Sequence, residues 1–329
     1  MIKRILVPLD ESALAEQAIP VAARIARASL CSILLIRVID TNSEFGGYMN
    51  APTTMLVQDA IDRDIVDATS YLSKIAKSPA LAGIKTDVDI FTGSPAARII
   101  DVTRAQHEDL IIMCSHGETG IKRWVMGNVT HKVVRHSPVP VLVLRSGKDG
   151  SIDLCRQSTK TLRVLVPLDG SPLSESVLEP MAQVISKLAA PCRCHINLLR
   201  VVDMPNRYSG LNGHPHIDSE TLKEAKIQVK LYMQVVADRL HAELTHILPS
   251  SDFTITSSYK IETDVPGTIT SVAEHGDAGE EDMGSYDLIA MATHGRSAIP
   301  RWALGSVTER VLDSTKLPLL IVRPQEVQA

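Results

Sequence analysis

"MCSHGETGIKRWVMGN", residues 113–128, and "MATHGRSAIPRWALGS", residues 291–306, share their spacing residue for residue, 178 positions apart. Each holds a His-Gly pair, then nine residues, then a second glycine followed by a small polar residue. Each follows an apolar run, "DLIIM" or "DLIAM", and leads into a segment with helical periodicity. Strand, glycine-bearing loop and helix in that order build phosphate sites in α/β proteins. Glycine lets backbone N–H groups approach an anion, and a helix N-terminus favours negative charge.

The doubling extends along the chain. "KRILVPLDES" (3–12) matches "LRVLVPLDGS" (162–171), "LLIRVID" (34–40) matches "LLRVVD" (198–203), and "HSPVPVLVLR" (136–145) matches "STKLPLLIVR" (314–323). Four matches in one order make a duplicated unit, far longer than the ~20–50 residues of a solenoid repeat. The expected domains are 1–146 and 161–325, with the polar, Gly- and Ser-bearing stretch 147–160 as linker.

Within the first copy the pattern predicts strands over 4–9, 32–39, 86–91, 109–114 and 139–144. It predicts helices from Ser12, over 56–76, over 95–106 and over 128–135. Ser12 is the expected cap of the first helix, whose apolar face carries Leu14, Ala18, Val21, Ala22 and Ile25. Ser171-Pro172 repeats the signal in the second copy, where the long helix is expected over 218–244. Strict alternation of β and α, with near-continuously apolar strands, predicts an α/β fold: two tandem doubly wound domains, each with a parallel sheet covered on both faces.

Composition narrows the function. The 329 residues include 17 basic and 16 acidic through Gly150, then 17 and 22, so neither half is the basic surface that a nucleic-acid backbone needs. No apolar run approaches the ~20 residues of a membrane span, and "MIKRILVPLDES" is too short for a signal peptide. Five cysteines form no disulfide framework and suit a reducing cytosol, hence a cytoplasmic location. Cys192-x-Cys194 falls on a predicted strand, where both thiols face one side and pack in the core, and no His/Cys partner pair suggests a metal. His214-x-His216 reads as solvent-facing. The acidic, Gly-rich stretch 274–285 reads as a solvated loop, and the long loops 41–53 and 203–218 are candidate lids.

Asp10 and Asp169 end the first strands, where ligands of doubly wound sheets bind. Each can accept hydrogen bonds from ribose hydroxyls or can close an Asx turn. Val38 and Val201 close the second strands, facing a base or simply packing. Asn128 and Ser306 follow the last glycine of each loop and read as N-cap residues whose side chains can reach a phosphate oxygen.

With "VPLD", "HG…RW.(M/L)G(N/S)V" and "PVPVLVLR" in place, the sequence resembles the universal stress protein family over nearly its whole length. Nucleotide-binding members of that family carry Gly-x2-Gly-x9-Gly-Ser/Thr after the fourth strand. Here the copies read Cys114-x2-Gly117-x9-Gly127-Asn128 and Ala292-x2-Gly295-x9-Gly305-Ser306. The resemblance implies a five-stranded parallel sheet of the adenine nucleotide α-hydrolase type, ATP as ligand, with or without Mg²⁺, and pairing of domains through the last strand. That strand would join the two halves as a pseudo-dimer and permits a homodimer. The implied contacts in the first copy are Pro8, Leu9, Asp10 and Val38 for base and ribose, then Met113, His116, Gly117, Gly127, Asn128, Val129 and Thr130 toward the phosphates. In the second they are Pro167, Leu168, Asp169, Val201, Met291, His294, Gly295, Gly305, Ser306, Val307 and Thr308. Small Cys114 and Ala292 replace the first glycine, Asn128 replaces Ser/Thr, and Glu118 stands where the second copy has Arg296. The second copy is therefore the better match to a nucleotide site.

Nothing in the sequence requires catalysis. There is no G-x-x-x-x-G-K-[ST], G-x-S-x-G or H-E-x-x-H, and the loops after the first strands lack pyrophosphate-binding glycines. A nucleotide-dependent stress or regulatory protein is the leading expectation. A non-nucleotide interaction scaffold and a slow ATPase using His116 or His294 are the alternatives.

Overall fold

The computed structural model describes residues 1–41, 54–115, 126–145, 154, 161–189, 192–203, 219–247, 253–276, 284–295 and 304–324. The chain divides into two compact units, Met1–Arg156 and Gln157–Ala329. The loops 42–53, 204–218 and 277–283, with His214 and His216, lie outside the described residues.

The first unit runs β1 (Arg4–Pro8), α1 (Ala18–Ser29), β2 (Ser32–Ile39), α2 (Thr54–Ala76), β3 (Thr86–Thr92), α3 (Pro95–Ala105), β4 (Leu110–Cys114), α4 (Asn128–His136) and β5 (Val141–Leu144). Every pairing is parallel and the order is β3-β2-β1-β4-β5. The second unit runs β6 (Leu162–Pro167), α5 (Pro172–Glu175), α6 (Leu178–Ala189), β7 (Cys194–Val202), α7 (Ser219–Ile247), β8 (Phe253–Ile261), α8 (Val265–His275), β9 (Leu288–Ala292), α9 (Ser306–Ser314) and β10 (Leu319–Val322). Its parallel order, β8-β7-β6-β9-β10, is the same. The expected doubly wound α/β sheets are therefore present twice.

Two reasons place these elements. The central strands are continuously apolar and buried, as in "LIIMC" and "LIAMA", so each needs cover on both faces. Parallel neighbours then require helical crossovers, and right-handed ones put α1 and α2 on one face and α3 and α4 on the other. In each unit the strand order reverses between the first and fourth strands. The crevice outside the carboxyl ends of β1 and β4, and of β6 and β9, is where such sheets bind ligands.

Local entries differ from expectation. Ser12 accepts a hydrogen bond from the Ala15 N–H at 3.1 Å, but it opens a 3-10 turn, Ala15–Gln17, and the α-helix begins at Ala18. Ala18, Val21, Ala22 and Ile25 are buried as the periodicity requires, while Leu14 is half-buried. In the second unit Ser171 caps the Ser174 N–H and Pro172 takes the first helical position. Cys192 is not on a strand. Its N–H bonds the Ala189 carbonyl as the chain leaves α6, and β7 starts at Cys194, so only Cys194 is buried.

The second unit also buries a polar chain in its core. Asn197 on β7 is 0% exposed; its amide donates to the Tyr286 hydroxyl at 2.8 Å and to Ser258 Oγ at 3.1 Å. The Arg163 guanidinium lies over the Tyr286 ring, 5.2 Å from its centre. These bonds fix β7 two residues before Leu199, where the strand reaches the crevice. A buried amide N–H that loses its acceptor costs about 1–3 kcal/mol. Tyr286→Phe, which removes only the hydroxyl, is expected to lower unfolding free energy by that amount in urea titration; an unchanged midpoint counts against the network's role.

Candidate functional site

The turn after the first strand is set by an aspartate. Asp169 Oδ1 accepts from the Ser171 N–H at 2.9 Å and from its hydroxyl at 2.6 Å. Asp10 and Ser12 repeat this at 3.2 and 2.6 Å. The Asx turn weighed in the sequence is thus present in both units. In each it occupies the Oδ1 oxygen of the carboxylate. The residue inside the turn is left-handed: Gly170 has φ 79° and Glu11 has φ 69°. Glycine takes that conformation without a Cβ clash, and Glu11 does not.

Asp169 also explains the first glycine that the two copies share in the loop. A Cβ on Gly295 would stand 2.0 Å from Asp169 Oδ2. The carboxylate and the loop backbone therefore meet face to face, and no side chain fits between them.

The second glycine has a different reason. Gly305 and Gly127 both have ordinary negative φ, −61° and −66°. What matters at Gly305 is proximity: a Cβ would come within 2.9 Å of the Thr293 carbonyl oxygen, which accepts the Gly305 N–H at 2.8 Å. Gly127 donates to Ser115 in the same way at 2.9 Å. These glycines are themselves the N-caps, so Asn128 and Ser306 are the first helical residues and not caps, contrary to the sequence reading. The chain is already extended at the glycine, and its carbonyl takes the first helical bond, from His131 N–H or Glu309 N–H. A glycine cap has no side chain to satisfy the first-turn amides, so the N–H groups of Ser306, Val307 and Thr308 point out of the helix end. Thr308 is held from below: its hydroxyl donates to the Ala292 carbonyl at 2.9 Å, as Thr130 does to Cys114 at 3.2 Å. What Thr130 and Thr308 offer a ligand is therefore the backbone amide.

Around these parts the second unit encloses a cleft of about 670 Å³, part of it open to solvent. All eleven residues expected in the second copy line it: Pro167, Leu168, Asp169, Val201, Met291, His294, Gly295, Gly305, Ser306, Val307 and Thr308. Five others join them: Ser174, Leu199, Val265, Ile269 and Ala292. Val265 and Ile269, on α8, complete an apolar wall with Leu199, Val201 and Met291. No spacing in the sequence announces them, because α8 reaches the cleft only through the crossover from β8.

In the first unit Pro8 ends β1 and Leu9 and Asp10 follow it, Val38 and Met113 are buried on β2 and β4, and Asn128, Val129 and Thr130 form the first turn of α4. His116 and Gly117 lie outside the described residues, as do Glu118 and Arg296. Cys114, which replaces a glycine of the motif, is buried; its thiol donates to the Leu14 carbonyl. Burial first, then the Asp10 carboxylate, pushes its pKa up to about 12, against an opposing backbone hydrogen bond from Ala18. It stays a thiol at neutral pH and fills space rather than reacting.

One paired contact was missed from sequence. Tyr232 on α7 donates to Glu175 at 2.9 Å, and Tyr71 on α2 donates to Glu16 at 3.1 Å. Arg239 adds an ion pair to Glu175. Burial, joined by the neighbouring carboxylate, raises both tyrosine pKa values, so both remain hydroxyl donors. Each pair ties the long helix to the turn that carries the aspartate. The signal was legible: Glu16 and Glu175 stand four residues after Ser12 and Ser171 in both copies. Their tyrosine partners, 55 and 57 residues on, were not.

Among the described residues no group of three or more His, Cys, Asp or Glu could hold a metal ion, and no helix is long and apolar enough to cross a membrane.

Comparison with known proteins places the family and the fold. The family model described as "Universal stress protein family" matches residues 1–145 and again 161–323. The universal stress protein MJ0531 of Methanocaldococcus jannaschii is 28% identical over 146 residues, 44% of this chain and 84% of the relative. The universal stress protein YxiE of Bacillus subtilis is 25% identical over 150 residues, 44% of this chain and all of the relative. A solved universal stress protein from Archaeoglobus fulgidus shares the fold over 97% of this chain and 98% of its own, with TM-score 0.61 and 17% identity. Single-unit relatives thus match half the chain each, the model matches both halves, and the chain belongs to the universal stress protein family.

Proposed function

We propose that the chain binds an adenine nucleotide, ATP foremost, in the second-unit cleft, and acts in the cytoplasm as a nucleotide-dependent stress-response or regulatory protein. The observation that carries this reading is the order of surfaces along the cleft. An apolar wall at one end suits a base. The Asp169 carboxylate beside the strand ends suits ribose hydroxyls. The glycine-capped helix end suits phosphate oxygens, where backbone amides and the helix dipole attract an anion by ~0.3–1 kcal/mol, and more when partly buried.

The position of the site speaks for a mononucleotide over a dinucleotide. Dinucleotide folds hold the pyrophosphate on glycines after the first strand, and here that turn is closed by Asp169 and Ser171. In a thermal-shift panel with and without Mg²⁺, ATP is expected to raise the melting temperature above NAD and FMN. Equal shifts for all three would favour an interaction scaffold of the same fold.

The two copies are not equivalent in this reading. Arg296 beside Gly295, against Glu118 beside Gly117, exchanges a positive for a negative charge near the phosphates. In a partly screened loop that exchange is worth on the order of 1–2 kcal/mol, about tenfold in affinity. Lys122, facing Pro300 in the alignment, offsets part of it, while Arg123 and Arg301 correspond. The second copy is therefore the tighter site. Gly305→Arg is expected to abolish most high-affinity ATP binding in titration calorimetry, and Gly127→Arg to cost less; the reverse order overturns the charge argument. Pairing of the last strands is tested by expressing residues 1–156 and 157–329 separately: self-association supports it, and soluble monomeric halves count against it.

A further inference from the structure

His294 stands in the cleft wall with its two ring nitrogens in different situations. Nδ1 is 2.8 Å from the Thr293 hydroxyl oxygen. Nε2 is shielded from solvent and, among the described residues, has no hydrogen-bond partner. A buried polar atom left unsatisfied costs free energy, and such atoms persist where something else completes them. Thr293 itself cannot yield. It is 1% exposed, its N–H donates to the Val322 carbonyl at 2.8 Å, and its carbonyl holds the Gly305 N–H. A β-branched side chain on a backbone pinned at both ends has little χ1 freedom.

We propose that Thr293 is a positioning residue for His294: its hydroxyl donates to Nδ1, which places the ring proton on Nε2 and makes Nε2 a side-chain donor to an anionic oxygen of the ligand. This rests on the nucleotide reading above and deepens it. A neutral imidazole carries one proton, and the partner of one nitrogen decides what the other can do. With Thr293 donating, the ring offers the cleft a donor, which suits a phosphate oxygen and repels none of its lone pairs. With the opposite tautomer Nε2 would present its own lone pair to the anion. The Gly305 loop closure and the ring orientation thus share one residue, Thr293. The first unit has Ser115 at this place, which keeps the hydroxyl and drops the methyl.

The test uses the full chain, with Thr293→Val, which keeps the shape and removes the hydroxyl, and Thr293→Ser, which restores it. Calorimetry with adenosine, AMP and ATP separates anion recognition from base recognition. Thr293→Val is expected to weaken AMP and ATP about tenfold, the scale of one hydrogen bond to a charged group, and to leave adenosine within about twofold. Thr293→Ser is expected to return the nucleotides to wild-type affinity. Equal weakening of adenosine, or failure of the serine to rescue, overturns the proposal. An independent readout needs no nucleotide: ring ¹⁵N shifts of the ligand-free protein, with the His294 signals identified by their loss in His294→Gln. A protonated Nε2 in the wild type, replaced by a tautomer mixture in Thr293→Val, supports the proposal, and a protonated Nδ1 in the wild type overturns it. If the wild type binds adenosine but shows no gain from phosphates, the anion role of Nε2 falls while the nucleoside site stands. If it binds none of the three, the nucleotide reading and the ligand half of this proposal fall together.

Discussion

The hydrogen bond from the Gly305 N–H to the Thr293 carbonyl, 2.8 Å long, is the constraint on which the rest of the second-unit site depends. It brings the start of α9 back onto the end of β9, with eleven residues between the two bonded positions. Once that contact is made, a side chain at 305 is excluded, because its first carbon would sit 2.9 Å from the same oxygen. A glycine cap then leaves the first-turn amides without a side-chain partner, and they face the crevice formed by the reversal of strand order. Thr308 locks the closure from within the helix by bonding Ala292. The equivalent bonds of Gly127 and Thr130 repeat it in the first unit. A motif that reads as two glycines at fixed spacing therefore answers two close contacts, Gly295 with the Asp169 carboxylate and Gly305 with the Thr293 carbonyl.

Much of this was legible because it was periodic or duplicated. Buried strands of four to nine residues alternate with amphipathic helices, and most boundaries came within two residues of those seen. The second-copy cleft was legible for the same reason: strand ends, glycines and helix starts are local features that a repeated sequence marks twice. What escaped was of two kinds. Local chemistry was misassigned where two readings share one residue type. Ser306 and Asn128 look like caps, yet the preceding glycine has already taken the extended conformation that a cap needs. Long-range contacts were not readable at all. Val265 and Ile269 enter the cleft through packing of α8, and Tyr232 meets Glu175 only because α7 lies across the turn after β6. Residues so far apart leave no period in a single sequence.

The carboxylate of Asp169 joins these levels. Its Oδ1 closes the turn that starts the first helix, and its Oδ2 sets how near the loop backbone can come, which is why position 295 has no side chain. Ser174 donates to the Ser171 carbonyl and accepts the Asp169 N–H at 3.3 Å, so the turn is cross-braced before any ligand arrives. Glu175, next in sequence, carries the brace out to Tyr232 and Arg239 on the long helix. A side chain braced in this way before any ligand arrives has little freedom left to lose, which is the general advantage of a preorganised site.

Comparison of the two turns shows how the duplicated units have diverged in backbone chemistry as well as in charge. Asp-Gly-Ser in the second unit puts glycine in the left-handed position, with no Cβ to clash. Asp-Glu-Ser in the first puts Glu11 there, at a cost on the order of 1–2 kcal/mol. Glu11 recovers part of this through Arg37, whose Nε lies 3.4 Å from its carboxylate, but that pair is partly exposed and its return is small. In the second unit the equivalent arginine, Arg200, has turned inward to donate to the Leu168 carbonyl at 3.1 Å. The same arginine position thus braces the strand end beside the cleft in one unit and compensates a strained surface turn in the other. Relaxed turn, inward arginine and glycine-compatible carboxylate all fall in the second unit. Backbone and side-chain terms there favour the same rigid arrangement of Asp169.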